Sequence, residues 1–172
     1  ELNANIKAVI ANHNHLQDLV EKFNIPFTCI SAEGLNREEH EDKMIVKINE
    51  YEPELIVLAK YMRILTPKFV DAFPKKVLNI HHSFLPAFIG ANPYKQAHER
   101  GVKIIGATAH YVTNDLDEGP IVFQDVVRVD HSYSWEDMRN AGRNVEKIVL
   151  SNAFELLLND RVFVHGNKTV IL

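Results

Sequence analysis

Residues 55–86 read LIVLAKYMRILTPKFVDAFPKKVLNIHHSFLP, and they decide the fold. LIVLA (55–59) is apolar throughout, as a strand covered on both faces has to be. Thr66-Pro67 is a helix start: a capping side chain, then a proline whose missing N–H is no loss in the first turn. The helix it opens ends near Phe73-Pro74. VLNI (77–80) is a second strand. Strand, short helix and strand in such quick succession form the unit of a parallel α/β sheet.

The same alternation extends outward. Upstream, IKAVIA (6–11) reads as a strand. LQDLVEKF (16–23) reads as a helix with Leu16, Leu19, Val20 and Phe23 on one face. Pro26 precedes a strand, FTCIS (27–31), in which Cys29 is expected to be a core residue. Residues 37–51 form a charged helix that buries Met44, Ile45 and Ile48, and its acidic run at 37–43 reads as a solvated face. Downstream, Asn92-Pro93 starts a helix that Gly101 ends. IIGATAHYVT (104–113) and IVFQDVVRV (121–129) are separated by a loop short enough to make them antiparallel neighbours. Ser134 with Asp137 resembles a capping box, opening a long helix over 135–158 that is buried through Met138, Ala141, Val145, Ile148 and Val149. A hairpin, RVFVH-GN-KTVIL, closes the chain at Gly166-Asn167. The expected fold is a three-layer α/β/α domain with a mixed, mostly parallel sheet, in which 104–113 runs against the rest.

Bulk composition narrows the function. The chain has 172 residues, 46% hydrophobic and 24% charged, with a formal net charge of -4. That balance, without a Lys/Arg cluster, excludes a general nucleic-acid binder. No apolar run is long enough to span a membrane. One cysteine cannot make an internal disulfide, which suits a reducing cytoplasm. There is no GxGxxG, no GxxxxGK[ST] and no GxSxG, so common nucleotide-phosphate loops and the serine-hydrolase elbow are missing. Nine histidines include no HExxH, and no metal site is expected.

In open α/β sheets ligands bind beyond the carboxyl ends of the strands. Three polar sets lie there: Lys60-Tyr61-Met62-Arg63, then Asn79 with His81 and His82, then Asn114-Asp115-Leu116-Asp117-Glu118-Gly119. Asn79 and His81 are two apart on a strand and share a face, with Ile80 turned to the other layer. His82 points away from His81 if the strand persists. An amide and an imidazole side by side can donate to one developing oxyanion, and Asp115, Asp117 or Glu118 can supply a carboxylate. The alternative is a strand that simply runs into water, followed by an ordinary turn at 117–120. His110, inside a strand, is expected to be satisfied by a hydrogen bond.

The combination N-I-H at 79–81, S-F-L-P at 83–86, H-Y-V-T at 110–113 and L-D-E-G-P at 116–120 resembles the folate-dependent formyltransferase superfamily. Within it, NIHHSFLPAFIGANPYKQAHERG and the closing hairpin resemble the formyltetrahydrofolate deformylases; transferases of the superfamily usually place Pro after the catalytic His. The resemblance covers essentially the whole chain. It implies that the catalytic residues are Asn79, His81 and Asp117. Asn79 and a protonated His81 would stabilise the oxyanion, with Asp117 orienting or deprotonating water and raising the His81 pKa. It implies folate contacts from Met62, Arg63, Ile64 and Leu65, from His110 and Thr113, and from Asn114, Asp115, Leu116, Glu118 and Gly119. The implied reaction is hydrolysis of 10-formyltetrahydrofolate to tetrahydrofolate and formate. Formyl transfer to an amine such as glycinamide ribonucleotide is the alternative, and a non-catalytic folate-binding module is the alternative of another class. No cofactor is implied beyond the folate substrate itself. The expected partner is that small molecule, with no nucleic acid or membrane, in a cytoplasmic homo-oligomer.

The chain opens ELNANIKAVIANHN, without Met, and reaches a strand pattern at once. The superfamily fold places a first strand and a glycine-bearing loop ahead of the strand matched by 6–11. That first strand lies between the strands matched by 6–11 and 55–59. The deformylases also carry an amino-terminal ACT-like domain. Residues 1–172 are therefore expected to be a formyltransferase-like catalytic domain that is incomplete at its start, with 6–11 and 55–59 not paired directly.

Overall fold

The structure is a computed structural model that describes residues 4–87 and 92–172. In chain order it has β1 (Val9–Ala11), a single 3-10 turn, α1 (Gln17–Glu21), β2 (Phe27–Cys29), α2 (Arg37–Asn49), β3 (Ile56–Leu58), α3 (Pro67–Ala72) and β4 (Val77–His81). Then come α4 (Pro93–Arg100), β5 (Ile104–Tyr111), β6 (Ile121–Arg128), α5 (Trp135–Leu158), β7 (Val162–His165) and β8 (Lys168–Ile171). The part of the phrase AFIGANPYKQAHERG that falls on 88–91 lies outside the described residues.

The sheet has the expected mixed character. β3 pairs with β4 in parallel, while β5 is antiparallel to both β4 and β6. In the order β3-β4-β5-β6, β5 therefore runs against the other three. β1 and β2 form a separate parallel pair, so the strands at 6–11 and 55–59 are not joined by ladder bonds, as expected. β7 and β8 make the closing hairpin, which turns through Gly166 in the left-handed region at φ 58°.

Alternation along β4 distributes the core and aims the site. Leu78 packs toward α5 with Ala107, Ala109, Tyr111, Val122, Val145 and Val149, and Ile80 joins that layer. Val77 faces the other way, into a cluster built by Met44, Ile48, Leu58, Phe69 and Phe73 of α2, β3 and the α3 region. Asn79 and His81 share the Val77 side by the two-residue period of a strand. On β5, Thr108 and His110 oppose the Ala107–Ala109–Tyr111 face in the same way. Caps fix the helix starts. Asn36 with Glu39 and Ser134 with Asp137 are complete capping boxes, and the Thr66 hydroxyl accepts from Phe69 N–H.

Several local expectations give way. β1 is shorter than 6–11, and the helix at 16–23 is one 3-10 turn plus a short α1. Its apolar face is largely uncovered, with Phe23 69% exposed. Cys29 is exposed rather than core, because the two-stranded β1–β2 sheet buries none of its own residues. Asn92 adopts φ 55° and makes no side-chain cap, so Pro93 alone marks the start of α4. Ile148 lies on the exposed side of α5. The acidic run of α2 is not uniformly solvated, because His40 and Glu41 are buried.

Gly142 is the tightest point of the α4–α5 contact. A Cβ there would overlap the Tyr94 ring, whose hydroxyl donates to Glu146 Oε1 at 2.6 Å. Burial and that partner push the Tyr94 phenol far above its ordinary value, so it stays a donor. Gly142→Ala gains helix propensity of about 1 kcal/mol. It must also displace a buried ring and its hydrogen bond, an overpacking cost of about 1–3 kcal/mol on top of that lost bond. The expected result is net destabilisation, read as a lower denaturation midpoint at unchanged slope.

Candidate active site

Four side chains from three segments meet on the face of β4 that alternation assigns to Asn79. The ladder places Asn79 opposite His110, and Leu58 at the end of β3 beside Asn79. Asn79 Nδ2 lies 3.2 Å from His110 Nε2, and His110 Nδ1 lies 2.9 Å from the Tyr111 carbonyl. A carbonyl can only accept, so His110 carries its proton on Nδ1 and accepts from Asn79 on Nε2; this tautomer is assigned from the network. One Asn79 N–H is thereby fixed, and the other has no partner among the described residues.

Asp117 arrives from the loop after β5. Its Oδ2 is 3.4 Å from His81 Nδ1 and its Oδ1 is 3.6 Å from His110 Nε2. The backbone at Asp117 is left-handed, φ 57°, a conformation that Asp tolerates better than most residues. Gly119 explains how the loop reaches in: a Cβ there would fall on the Tyr111 carbonyl oxygen. Pro120 C=O then accepts from Tyr111 N–H at 2.9 Å, which ties the loop's far end to β5. Asp115 and Glu118, the other candidate acids, are exposed, and among the described residues the acid that faces both His81 and His110 is Asp117.

The electrostatics depart from one expectation. Burial pulls the His81 imidazole below its ordinary value of 6.5. Asp117 pushes upward and is outweighed, while His82 and His110 add to the lowering. His81 is therefore neutral at pH 7 rather than an imidazolium at rest. The carboxylate opposite Nδ1 favours the proton there, which leaves Nε2 with its lone pair. That Nε2 is buried and has no hydrogen-bond partner among the described residues. The Asp117 carboxyl is held below its ordinary value of 3.8 by the facing rings of His110 and then His81, against the opposing effect of its burial; the His110 part belongs to a ring protonated on Nε2, not to the tautomer that accepts from Asn79. Asp117 is a weak base.

His82 does not point away. β4 ends at His81, so strand alternation stops there, and the two rings stack at 5.2 Å and 24°. The loop beyond is held by residues that the sequence did not single out. Thr108 Oγ1 donates to Ser83 C=O and accepts from Leu85 N–H, and Gln124 Nε2 donates to both Thr108 Oγ1 and Leu85 C=O. Register gives the reason, since Thr108 lies opposite both His81 and Gln124.

The remaining predicted residues lie on the segments that follow β3 and β5. Met62, Arg63, Ile64 and Leu65 follow β3 without regular structure at the carboxyl edge of the sheet. Met62 and Ile64 are exposed, at 73% and 51%, while Leu65 packs on the α2–α3 cluster. Thr113 donates to the Asp115 carbonyl, and Asn114 reaches Asp71 at 3.4 Å. Leu116 is exposed, and the Glu118 carbonyl accepts from Asn167 of the hairpin turn.

Residues 1–154 match the formyl transferase family. Formyltetrahydrofolate deformylase of Escherichia coli (strain K12) is 64% identical over 171 residues, covering 99% of this chain and 61% of that protein. The crystal structure of a formyltetrahydrofolate deformylase from Pseudomonas syringae pv. tomato superposes with a TM-score of 0.96 at 47% identity, over 100% of this chain and 58% of that one. Glycinamide ribonucleotide transformylase 1 of Symbiobacterium toebii is more distant, at 31% identity and a TM-score of 0.91, over 96% of this chain and 80% of that one. The chain spans about three-fifths of the deformylases it matches.

Proposed function

The chain belongs to the formyl transferase family, and from that premise we propose that the whole protein hydrolyses 10-formyltetrahydrofolate to tetrahydrofolate and formate. The observation that carries the reading is the meeting of Asn79, His81, His110 and Asp117 in one place, from strands β4 and β5 and the 112–120 loop. Greater identity to deformylases than to the transformylase favours water over an amine as the nucleophile.

In the proposed reaction Asp117 keeps the His81 proton on Nδ1, so Nε2 accepts a proton from water as the oxygen attacks the formyl carbon. The negative charge that builds on the formyl oxygen is met by the free N–H of Asn79. The His81 imidazolium, now facing Asp117, gives its proton to N10 of the folate as the carbon–nitrogen bond breaks. Formic acid leaves and ionises. The folate lies along residues 62–65 and the 113–119 loop, with its one-carbon end toward Asn79. The residues supply acid, base and oxyanion donor, and the sequence of steps calls on no cofactor. The single cysteine fits a reducing compartment, and we place the protein in the cytoplasm as a soluble enzyme.

The test is formate release by the whole protein from 10-formyltetrahydrofolate with no amine present. Release that begins only when an amine such as glycinamide ribonucleotide is added would instead identify a transferase. Tight binding without turnover would identify a binding module.

The pH dependence has a definite sign. If neutral His81 is the working form, kcat/KM falls as pH drops through the His81 pKa, which lies below 6.5. A resting imidazolium would give the opposite, activity lost as pH rises through that range. A pH–rate profile between about 4.5 and 8 separates the two.

A further inference from the structure

Behind the segment that follows β3, two adjacent residues of α2 are buried against expectation. His40 is 2% exposed and Glu41 is 1% exposed, in a helix whose neighbouring acids face water. Both reach across to the same segment. His40 Nε2–H donates to the Ile30 carbonyl at the end of β2, at 2.9 Å, which leaves Nδ1 to accept from Arg63 Nη1 at 3.1 Å. The Glu41 carboxylate accepts from Thr66 N–H through both oxygens, at 3.1 and 3.2 Å, and from the Thr66 hydroxyl. The same hydroxyl accepts from Phe69 N–H and caps α3.

The segment between these two anchors has no helix or strand of its own. It begins with Lys60 in the left-handed region, φ 54°, and turns Met62 and Ile64 outward. Arg63, by contrast, points back into the protein, and Leu65 packs beneath. A run of chain that is irregular and outwardly apolar, yet tied from behind at two points three residues apart, has one face prepared for contact. It starts two residues past Leu58, which lies beside Asn79 in the sheet. Burying a carboxylate costs several kcal/mol unless its hydrogen bonds are complete. Here both oxygens are engaged by a single residue at the segment's end, which fixes that end more narrowly than apolar packing would.

We propose that His40 and Glu41 are positioning residues that brace the 62–65 segment, so that its backbone and the Met62 and Ile64 side chains hold the fused ring of a folate in register with Asn79 and His81. This rests on the folate reading above and assigns to α2 a part in substrate affinity. Neither residue touches the reacting atoms, so their loss weakens binding and leaves the chemistry at saturation nearly intact.

The experiment uses the whole protein. His40→Phe keeps a ring in the space and removes both nitrogens. Glu41→Leu removes the acceptors, while Glu41→Gln keeps an amide oxygen for Thr66. Formate release gives kcat and KM, and equilibrium titration with tetrahydrofolate gives affinity. For His40→Phe a roughly tenfold rise in both KM and the tetrahydrofolate dissociation constant is expected, with kcat within about threefold of the parent. Glu41→Leu should do the same or more, and Glu41→Gln should return affinity to within about threefold. A folded His40→Phe protein that is less stable but has unchanged KM and tetrahydrofolate affinity would overturn the brace and leave a merely structural contact. An equal loss confined to kcat would overturn it too. If Glu41→Leu does not fold, His40→Phe and Glu41→Gln still decide. A parent protein that releases formate while His40→Phe binds normally refutes the brace alone. A parent that neither binds tetrahydrofolate nor releases formate refutes the folate reading, and the brace with it.

Discussion

Asp117→Asn should lower formate release by roughly 10²–10⁴-fold while folate affinity stays within about threefold. The substitution keeps the side chain's size, so the loop that Gly119 lets close on Tyr111 retains its path. What changes is the group 3.4 Å from His81 Nδ1. A carboxylate can only accept there, which holds the imidazole proton on Nδ1. An amide can instead turn its NH2 toward Nδ1, moving the proton to Nε2 and blocking the nitrogen that takes one from water in the proposed reaction. The charge that would steady the imidazolium is also gone. Single-turnover formate release beside equilibrium tetrahydrofolate binding gives the two numbers. Hydrolysis near the parent rate would mean that another acid serves. The exposed Asp115 and Glu118 would be next to test, although it is Asp117 that faces His81 Nδ1.

Much of this site was legible because it rests on short-range rules. The strand period puts Asn79 and His81 on one face whatever the rest of the chain does, and the brief connection from 113 to 121 makes β5 and β6 antiparallel neighbours. The long helix and its capping box follow from periodicity and two side chains. Choosing Asp117 over Asp115 or Glu118 took the family resemblance, because three acids in one turn are equivalent until the loop's path is known. The misses share a cause: each depends on what another element brings. Glu41 looks like one more charge on a polar helix, and its burial follows from Thr66 arriving 25 residues later. His82 would have faced away had β4 continued one residue further. Cys29 and Phe23 have the surroundings of core residues in the chain, yet no layer covers them among the described residues. The His81 charge state could not be read from a neighbouring acid, because the sign depended on whether burial or Asp117 prevailed, and burial did.

Replacing His81 with Ala should be as damaging as losing the acid, roughly 10²–10⁴-fold in formate release, because in the proposed reaction the same imidazole is both the base for water and the acid for N10. Folate binding should change little, since the segments at 62–65 and 113–119, proposed to hold the ring, are anchored elsewhere, through α2, Asp71 and the closing hairpin. His82→Ala provides the contrast. The His82 ring stacks on His81 and its charge is one of the influences holding the His81 pKa down. Removing it should move the acid limb of the pH–rate profile to higher pH, with the plateau rate nearly retained. A residue that served only to fill space would not shift that limb, and a second catalytic base would lower the plateau. If His81→Ala turned over near the parent rate, Nε2 would have no part in proton transfer. The nitrogen at the end of β4, unpartnered among the described residues, would then be a buried group without a use, at a cost of about 1–3 kcal/mol in lost hydrogen bonding that a working base would justify.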